Sequence, residues 1–125
     1  MDIQTEFLVI GSGVAGLNFA LRAAQVGRVA VVTKKEAMAS NTNLAQGGIA
    51  AVLDAEDSFA LHIQDTLASG AGLCRREVVE LVVREGPARI RELVACGVAF
   101  SCKPDQADTF DLGREGGHSH NRIVH

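Results

Sequence analysis

Gly11-Ser12-Gly13-Val14-Ala15-Gly16 places glycines at the first, third and sixth positions of a hexapeptide. That spacing suits a phosphate cradle: Gly11 makes a tight turn, Gly13 lets a pyrophosphate reach the backbone, and Gly16 lets a helix pack closely on a strand. The free N–H groups and the positive end of the helix dipole then hold the anion. Alone the hexapeptide is a weak signal, but here it follows an apolar run, Phe7-Leu8-Val9-Ile10, and opens a segment of helical period. A dinucleotide fingerprint usually adds an acid at the end of the second strand to bind ribose hydroxyls. Thr33 stands at that position, a weaker partner for a ribose, and Glu36 lies beyond the strand, where a solvated side chain is expected.

The elements around this turn follow from periodicity. Phe7 to Ile10 suits a strand buried on both faces of a parallel sheet. Val14, Leu17, Leu21 and Ala24 share one helical face, and Gly27 follows where a helix ends. Arg28 to Thr33 is a second buried strand, completing a β-α-β unit. Residues 34 to 57 are polar and Gly-rich, too long for an idle connection, and are expected to form a ligand-contacting loop. Asp57 or Ser58 can cap a helix bearing Phe59, Ile63 and Leu67 and ending near Gly70 and Gly72. Arg75 to Glu85 and Pro87 to Cys96 are expected as two amphipathic helices, with Gly86 and Pro87 as stop and restart and Gly97 closing the second. Val98 to Phe100 is a strand candidate, followed by loop to His125. The chain stops directly after a Gly- and His-rich segment, so it is expected to be a truncated piece of a longer protein.

Composition bounds the function classes. At 125 residues, 47% hydrophobic and 22% charged, the chain is an ordinary globular sequence of one modest domain. A net charge of −3 with both signs mixed gives no reason to expect nucleic acid or an anionic membrane. Glycines and Arg22 interrupt the N-terminal apolar stretch, and no basic region precedes it, so neither a membrane span nor a signal peptide is expected. Cys74, Cys96 and Cys102 lack metal or redox spacing and are expected as reduced, small buried side chains in a cytoplasmic protein. His118, His120 and His125 are close in sequence, but their glycine-rich setting does not define the tetrahedral geometry that zinc needs, and no metal site is assigned. Arg75, Arg76, Arg84, Arg89 and Arg91 are expected on exposed faces, paired with Glu77, Glu80, Glu85 and Glu92.

Ser40-Asn41-Thr42-Asn43-Leu44-Ala45-Gln46-Gly47-Gly48-Ile49 resembles the second flavin-contacting segment of the succinate dehydrogenase and fumarate reductase flavoproteins, where Ser-His-Thr precedes Ala-Gln-Gly-Gly. In membrane-bound members that His carries FAD covalently. Asn41 stands at the matching position, and an amide cannot make the bond, so FAD is expected to be held non-covalently. Arg114-Glu115-Gly116-Gly117-His118-Ser119-His120-Asn121-Arg122-Ile123 resembles the Arg-Glu-Gly-Gly-His-Ser-His run of the L-aspartate oxidase family, and Ile49 to Val52 and Asp65 to Cys74 also resemble that family. The similarity thus spans essentially the whole chain.

The resemblance implies an α/β fold: residues 1–125 as the N-terminal part of a Rossmann-like FAD-binding domain of the ββα-sandwich type, lacking its later strands and capping domain. It implies Gly11, Ser12, Gly13, Val14, Ala15, Gly16, Thr33, Lys34, Asn41, Thr42, Asn43, Leu44, Ala45, Gln46, Gly47 and Gly48 as the FAD-binding set. It also implies oxidation of L-aspartate to iminoaspartate, with O2 or fumarate as acceptor and quinolinate synthase as pathway partner in NAD biosynthesis. Glu115 would orient the substrate amino group, for which a buried anion is the economical reader. The groups that bind the substrate carboxylates would lie beyond residue 125, leaving this piece inactive by itself. The alternatives are a fumarate reductase or succinate dehydrogenase flavoprotein, and a non-catalytic nucleotide-binding module.

Overall fold

The computed structural model describes residues 2–36, 39, 42, 44, 45 and 47–125. Ser40, Asn41, Asn43 and Gln46 of the expected flavin segment lie outside these. The chain forms two compact units, Met1–Gln46 and Gly47–His125.

The first unit is the expected β-α-β: β1 (Phe7–Ile10), α1 (Val14–Ala23) and β2 (Val29–Val32). The strands pair in parallel with Phe7 opposite Val29 and Ile10 opposite Val32. Two expectations need correction. The helix face on the core is not Val14, Leu17 and Leu21, which are all exposed, but the small residues Ala20 and Ala23, with Gly16 one turn before them. Small side chains let backbones approach, so a helix that sits tight on a strand contacts it through alanine and glycine. Nor is β1 covered on both faces: Val9 is buried, whereas Leu8 and Ile10, one pleat away, are 59% and 83% exposed.

The second unit contains β3 (Ile49–Ala50), α2 (Phe59–Ser69), α3 (Arg76–Ala95), β4 (Cys102–Lys103), β5 (Gln106–Phe110) and β6 (Ile123–Val124). Ser58 caps α2, its hydroxyl accepting from Leu61 N–H at 3.2 Å. The expected pair of helices after Arg75 is one helix, α3, with Pro87 inside it. Proline there removes one intrahelical hydrogen bond, a cost of about 3 kcal/mol. The offset is packing. Val79, Val83, Pro87 and Ile90 form one buried stripe, with Val79 and Val83 in a cluster with Ile63 of α2 and Ile90 in another with Ala51 and Val124. Breaking the helix at Gly86 would uncouple the two clusters. Gly97 does end it, at φ +95°, with Gly97 N–H on Val94 O at 2.9 Å and Val98 N–H on Leu93 O at 3.0 Å.

Val98 to Phe100 is not a strand; the pairing moves two residues on, to the antiparallel β4–β5 hairpin. The chain between Gly97 and β4 is instead tied to the other end of the unit, by Ser101 N–H on His125 O at 2.7 Å. Phe100 still contributes to the core, edge-to-face on Phe110 at 6.1 Å. The arginines of α3 pair as expected for Arg75–Glu77, Arg76–Glu80, and Arg89 with Glu85 and Glu92. Arg84 departs, lying 5.8 Å from the Phe59 ring centroid. Cys96 and Cys102 are exposed rather than buried, and Cys74 is half-buried. Among the described residues, no helix is long and apolar enough to cross a membrane.

Candidate functional site

The fingerprint turn has the geometry its glycines imply. Gly11 adopts φ +107°, a left-handed conformation unfavourable to other residues, and its N–H bonds Val32 O at 2.8 Å. A methyl group on Gly16 would sit 2.4 Å from Gly11 O and 3.3 Å from Val9 Cγ1. Gly16 is therefore demanded by the protein's own packing. Gly13 is not: among the described residues a methyl there would meet nothing nearer than Thr42 Oγ1, at 3.7 Å, and its φ of −73° is open to any residue. Such a glycine leaves backbone accessible above a helix N-terminus, which fits a bound pyrophosphate.

The turn also joins the second expected flavin segment. Val14 N–H, the first amide of α1, donates to Thr42 Oγ1 at 3.2 Å across 28 residues of sequence. Beside it a cleft of about 440 Å³ is lined by Gly11, Ser12, Thr33, Lys34, Lys35, Ala39 and Leu44. Ser12 is buried, while Lys34 and Glu36 are exposed. The Thr33 hydroxyl donates to Lys35 O, which leaves its oxygen free to accept but not its proton to give. Ala15 and Ala45 are exposed at the edges of these segments.

In the second unit, Glu115 lies on a loop closed by an antiparallel bridge between Gly113 and Ile123. A methyl on Gly47 would lie 3.5 Å from Glu115 Oε1. Two residues implied by different motifs, and far apart in sequence, are thus neighbours. Gly48 is packed from below, since a methyl there would fall 2.0 Å from Val124 O, on the β3–β6 pair.

Beneath this loop is a set of residues to which the sequence reading gave no role in the site. Arg122 is wholly buried and grips Asp57 with two bonds, Nε to Oδ2 at 2.9 Å and Nη2 to Oδ1 at 2.8 Å. Its third nitrogen donates to Asp65 Oδ2 at 2.8 Å. Asp57, a cap candidate in the sequence, serves this pair instead while Ser58 takes the cap. The signal available beforehand was spacing: His62, Asp65 and Ser69 recur at three and four residues on one face of α2, a polar stripe that runs from buried His62 through half-buried Asp65 to exposed Ser69. Burial opposes ionisation of Asp65, but Ser119 N–H, the Ser119 hydroxyl and Arg122 outweigh it and hold the carboxyl below its ordinary 3.8. His118 and His120 border this set: His118 meets His62 edge-to-face at 5.9 Å, and His120 Nδ1 lies 3.0 Å from Ser119 Oγ.

Burial first, then the charge of Arg122 and the neighbouring His118, push the His62 imidazole below its ordinary 6.5, with Asp57 and Asp65 partly opposing. A base whose folded value is depressed contributes stability that is complete above the unfolded value and is lost as pH falls through the folded one. Thermal melts of the full-length protein should therefore lose Tm as pH drops below about 6.5, and His62→Leu should flatten that slope. Parallel pH profiles in the two proteins would show that His62 is not the group responsible.

Comparison with known proteins agrees with this geometry. Residues 6–125 match the FAD binding domain family. Over 96% of its length the chain is 54% identical to the chloroplastic L-aspartate oxidase of Oryza sativa and 56% identical to that of Arabidopsis thaliana, covering 18% of each. It is 45% identical, over 98% of its length, to L-aspartate oxidase of Vibrio cholerae, of which it covers 23%. The chain thus spans about a fifth of the length of the curated relatives it matches. A solved structure of E. coli quinol fumarate reductase superposes with a TM-score of 0.88 at 35% identity, over 98% of this chain and 21% of that one. The Mycobacterium smegmatis Sdh1 complex superposes at 0.86 and 34%, over 97% and 21%. An α/β architecture shared with those structures, and a sequence matched almost from end to end, place the chain in the FAD binding domain family of the succinate dehydrogenase and fumarate reductase flavoproteins, with FAD as its cofactor.

Proposed function

We propose that this chain is the N-terminal, FAD-binding part of a cytoplasmic L-aspartate oxidase, which converts L-aspartate to iminoaspartate with fumarate or O2 as acceptor and hands its product to quinolinate synthase in NAD biosynthesis. The observation that carries the proposal is Glu115 beside Gly47. A glutamate there, next to the segment expected to touch the flavin, can accept charge-assisted hydrogen bonds from an ammonium group, which aspartate has and succinate lacks.

FAD, when bound, supplies the two-electron redox chemistry. The chain's own part is to hold it and orient the substrate. Ala15 and Gly16 offer first-turn amides to the pyrophosphate, with Ser12 beside them and Val14 N–H bound to Thr42 Oγ1. Thr33 accepts from a ribose hydroxyl, and Lys34 adds positive charge at the cleft. Leu44 lines the same cleft, and the family resemblance alone adds Asn41, Asn43, Ala45, Gln46, Gly47 and Gly48 to the residues that would contact the cofactor. Glu115 then fixes the substrate amino group.

The structural likeness to quinol fumarate reductase favours a second reading, a fumarate-reducing flavoprotein, but identity rises from 35% there to 56% among L-aspartate oxidases. Assay of the full-length protein with aspartate and with succinate separates the two, and aspartate should be the better electron donor. Acid precipitation should leave a yellow supernatant, because Asn41 cannot bind flavin covalently. Succinate oxidation with flavin in the pellet would establish the second reading.

A further inference from the structure

We propose that Asp65 is a positioning residue for Glu115, holding the loop from Gly113 to Ile123 in the conformation that presents Glu115 beside Gly47. The proposal rests on the assignment of Glu115 as the ammonium-binding group.

The neck of the loop is fixed by backbone bonds: Gly113 N–H on Ile123 O at 2.9 Å, Arg122 N–H on Gly113 O at 2.9 Å, and Ile123 N–H on Gly113 O at 3.0 Å. Its tip has no such support. Residues 114 to 121 read Arg-Glu-Gly-Gly-His-Ser-His-Asn, without an apolar anchor and with adjacent glycines. A segment of this composition does not hold one shape unless something outside it does.

That support is the polar stripe of α2. Gly117 lies against Ser69, where an added methyl would come 2.4 Å from Ser69 Oγ. His118 stacks edge-on against His62. Between them Ser119 bonds Asp65 Oδ2 through its N–H and its hydroxyl, both at 2.7 Å. The same oxygen takes Arg122 Nη1 at 2.8 Å, so one carboxylate oxygen gathers three donors from the loop and its neck. Arg122 cannot yield, because Asp57 holds its other edge in a fully buried fork. The hold on Ser119 reaches Glu115 within one turn, through His118 N–H on Glu115 O at 3.2 Å.

A carboxylate holds this point more tightly than an amide would. Asparagine could still accept from Ser119 and Arg122, but without the negative charge that strengthens those bonds, while Asp57 alone would remain to neutralise the guanidinium. A misplacement of about 1 Å at a substrate-reading group can cost on the order of 100-fold in rate, so a small relaxation of the loop should be visible in turnover.

The test is a double-mutant cycle in the full-length flavoprotein, with Asp65→Asn, Glu115→Gln and both together. If Asp65 acts through Glu115, Asp65→Asn should lower aspartate kcat/KM by about 10-fold at unchanged flavin content, and the double variant should be no worse than Glu115→Gln alone. Multiplying losses, or wild-type kcat/KM in Asp65→Asn, would overturn the proposal. Should Asp65→Asn fail to fold, Ser119→Ala replaces it in the cycle, since it removes the loop's hydroxyl and leaves the Arg122 carboxylates in place. Absence of aspartate oxidation by the wild-type protein is a separate outcome, which overturns the aspartate oxidase assignment and this proposal with it.

Discussion

Glu115→Gln in the full-length protein should lower kcat/KM for aspartate on the order of 30-fold or more, because it keeps the shape of the side chain and removes the charge that meets the substrate ammonium. Glu115 is exposed in this chain, so the loss applies to the pair formed once substrate and the rest of the protein exclude water from it, and losing one partner of such a desolvated charged pair costs about 2–5 kcal/mol. Fumarate has no ammonium and carries negative charge itself, so its reduction should be unchanged or slightly faster. Both reactions are to be measured in one preparation with flavin content matched to wild type, so that lost cofactor does not pass for lost recognition. Equal losses in the two directions would mean that Glu115 supports the fold or the flavin instead, and the case for aspartate over succinate would lose its residue-level basis.

Gly13→Val should abolish FAD retention, and the structure makes this a clean test of the fingerprint. Among the described residues, a Cβ at Gly13 meets Thr42 Oγ1 alone, at ordinary contact distance, and the backbone there is extended, as valine favours. The apoprotein should fold with a Tm close to that of wild-type apoprotein, while the branched methyls take the place of the pyrophosphate. Flavin absorbance relative to protein should fall to background. Gly16→Ala provides the contrast: its methyl would collide with Gly11 O at 2.4 Å, so it should disturb folding with or without cofactor. Wild-type flavin content in Gly13→Val would show that the hexapeptide is merely a turn.

The glycine hexapeptide, the β-α-β unit and the Ser58-capped helix were legible in the sequence because each depends on local chemistry. A left-handed turn at Gly11, a hydroxyl reaching back to Leu61 N–H and an apolar run between polar segments need no knowledge of distant residues. The same holds for the end of α3 at Gly97. Where the sequence misled, long-range packing had overruled a local rule. Pro87 is a stop signal by propensity, but α3 continues through it because two core clusters lie on one stripe. The core face of α1 was misjudged because side-chain size favoured leucine and valine, whereas close approach to β1 selected Gly16, Ala20 and Ala23.

By itself, then, the sequence determined a glycine turn between a strand and a helix at Gly11 to Gly16, a form suited to a dinucleotide phosphate, and the resemblance it carries pointed to FAD and to Glu115. Tertiary structure decided how those residues meet. Thr42 reaches Val14 across a loop that has no periodicity to predict its path. Glu115 reaches Gly47 because strand pairing of Ile49 and Ala50 with Val124 and Ile123 folds the ends of the second unit together. The Asp57–Arg122–Asp65 set left only the polar spacing of α2 as a trace in the sequence: charged residues are mostly solvated, and burial that turns three of them into a rigid support exists only once α2 and the end of the chain are side by side.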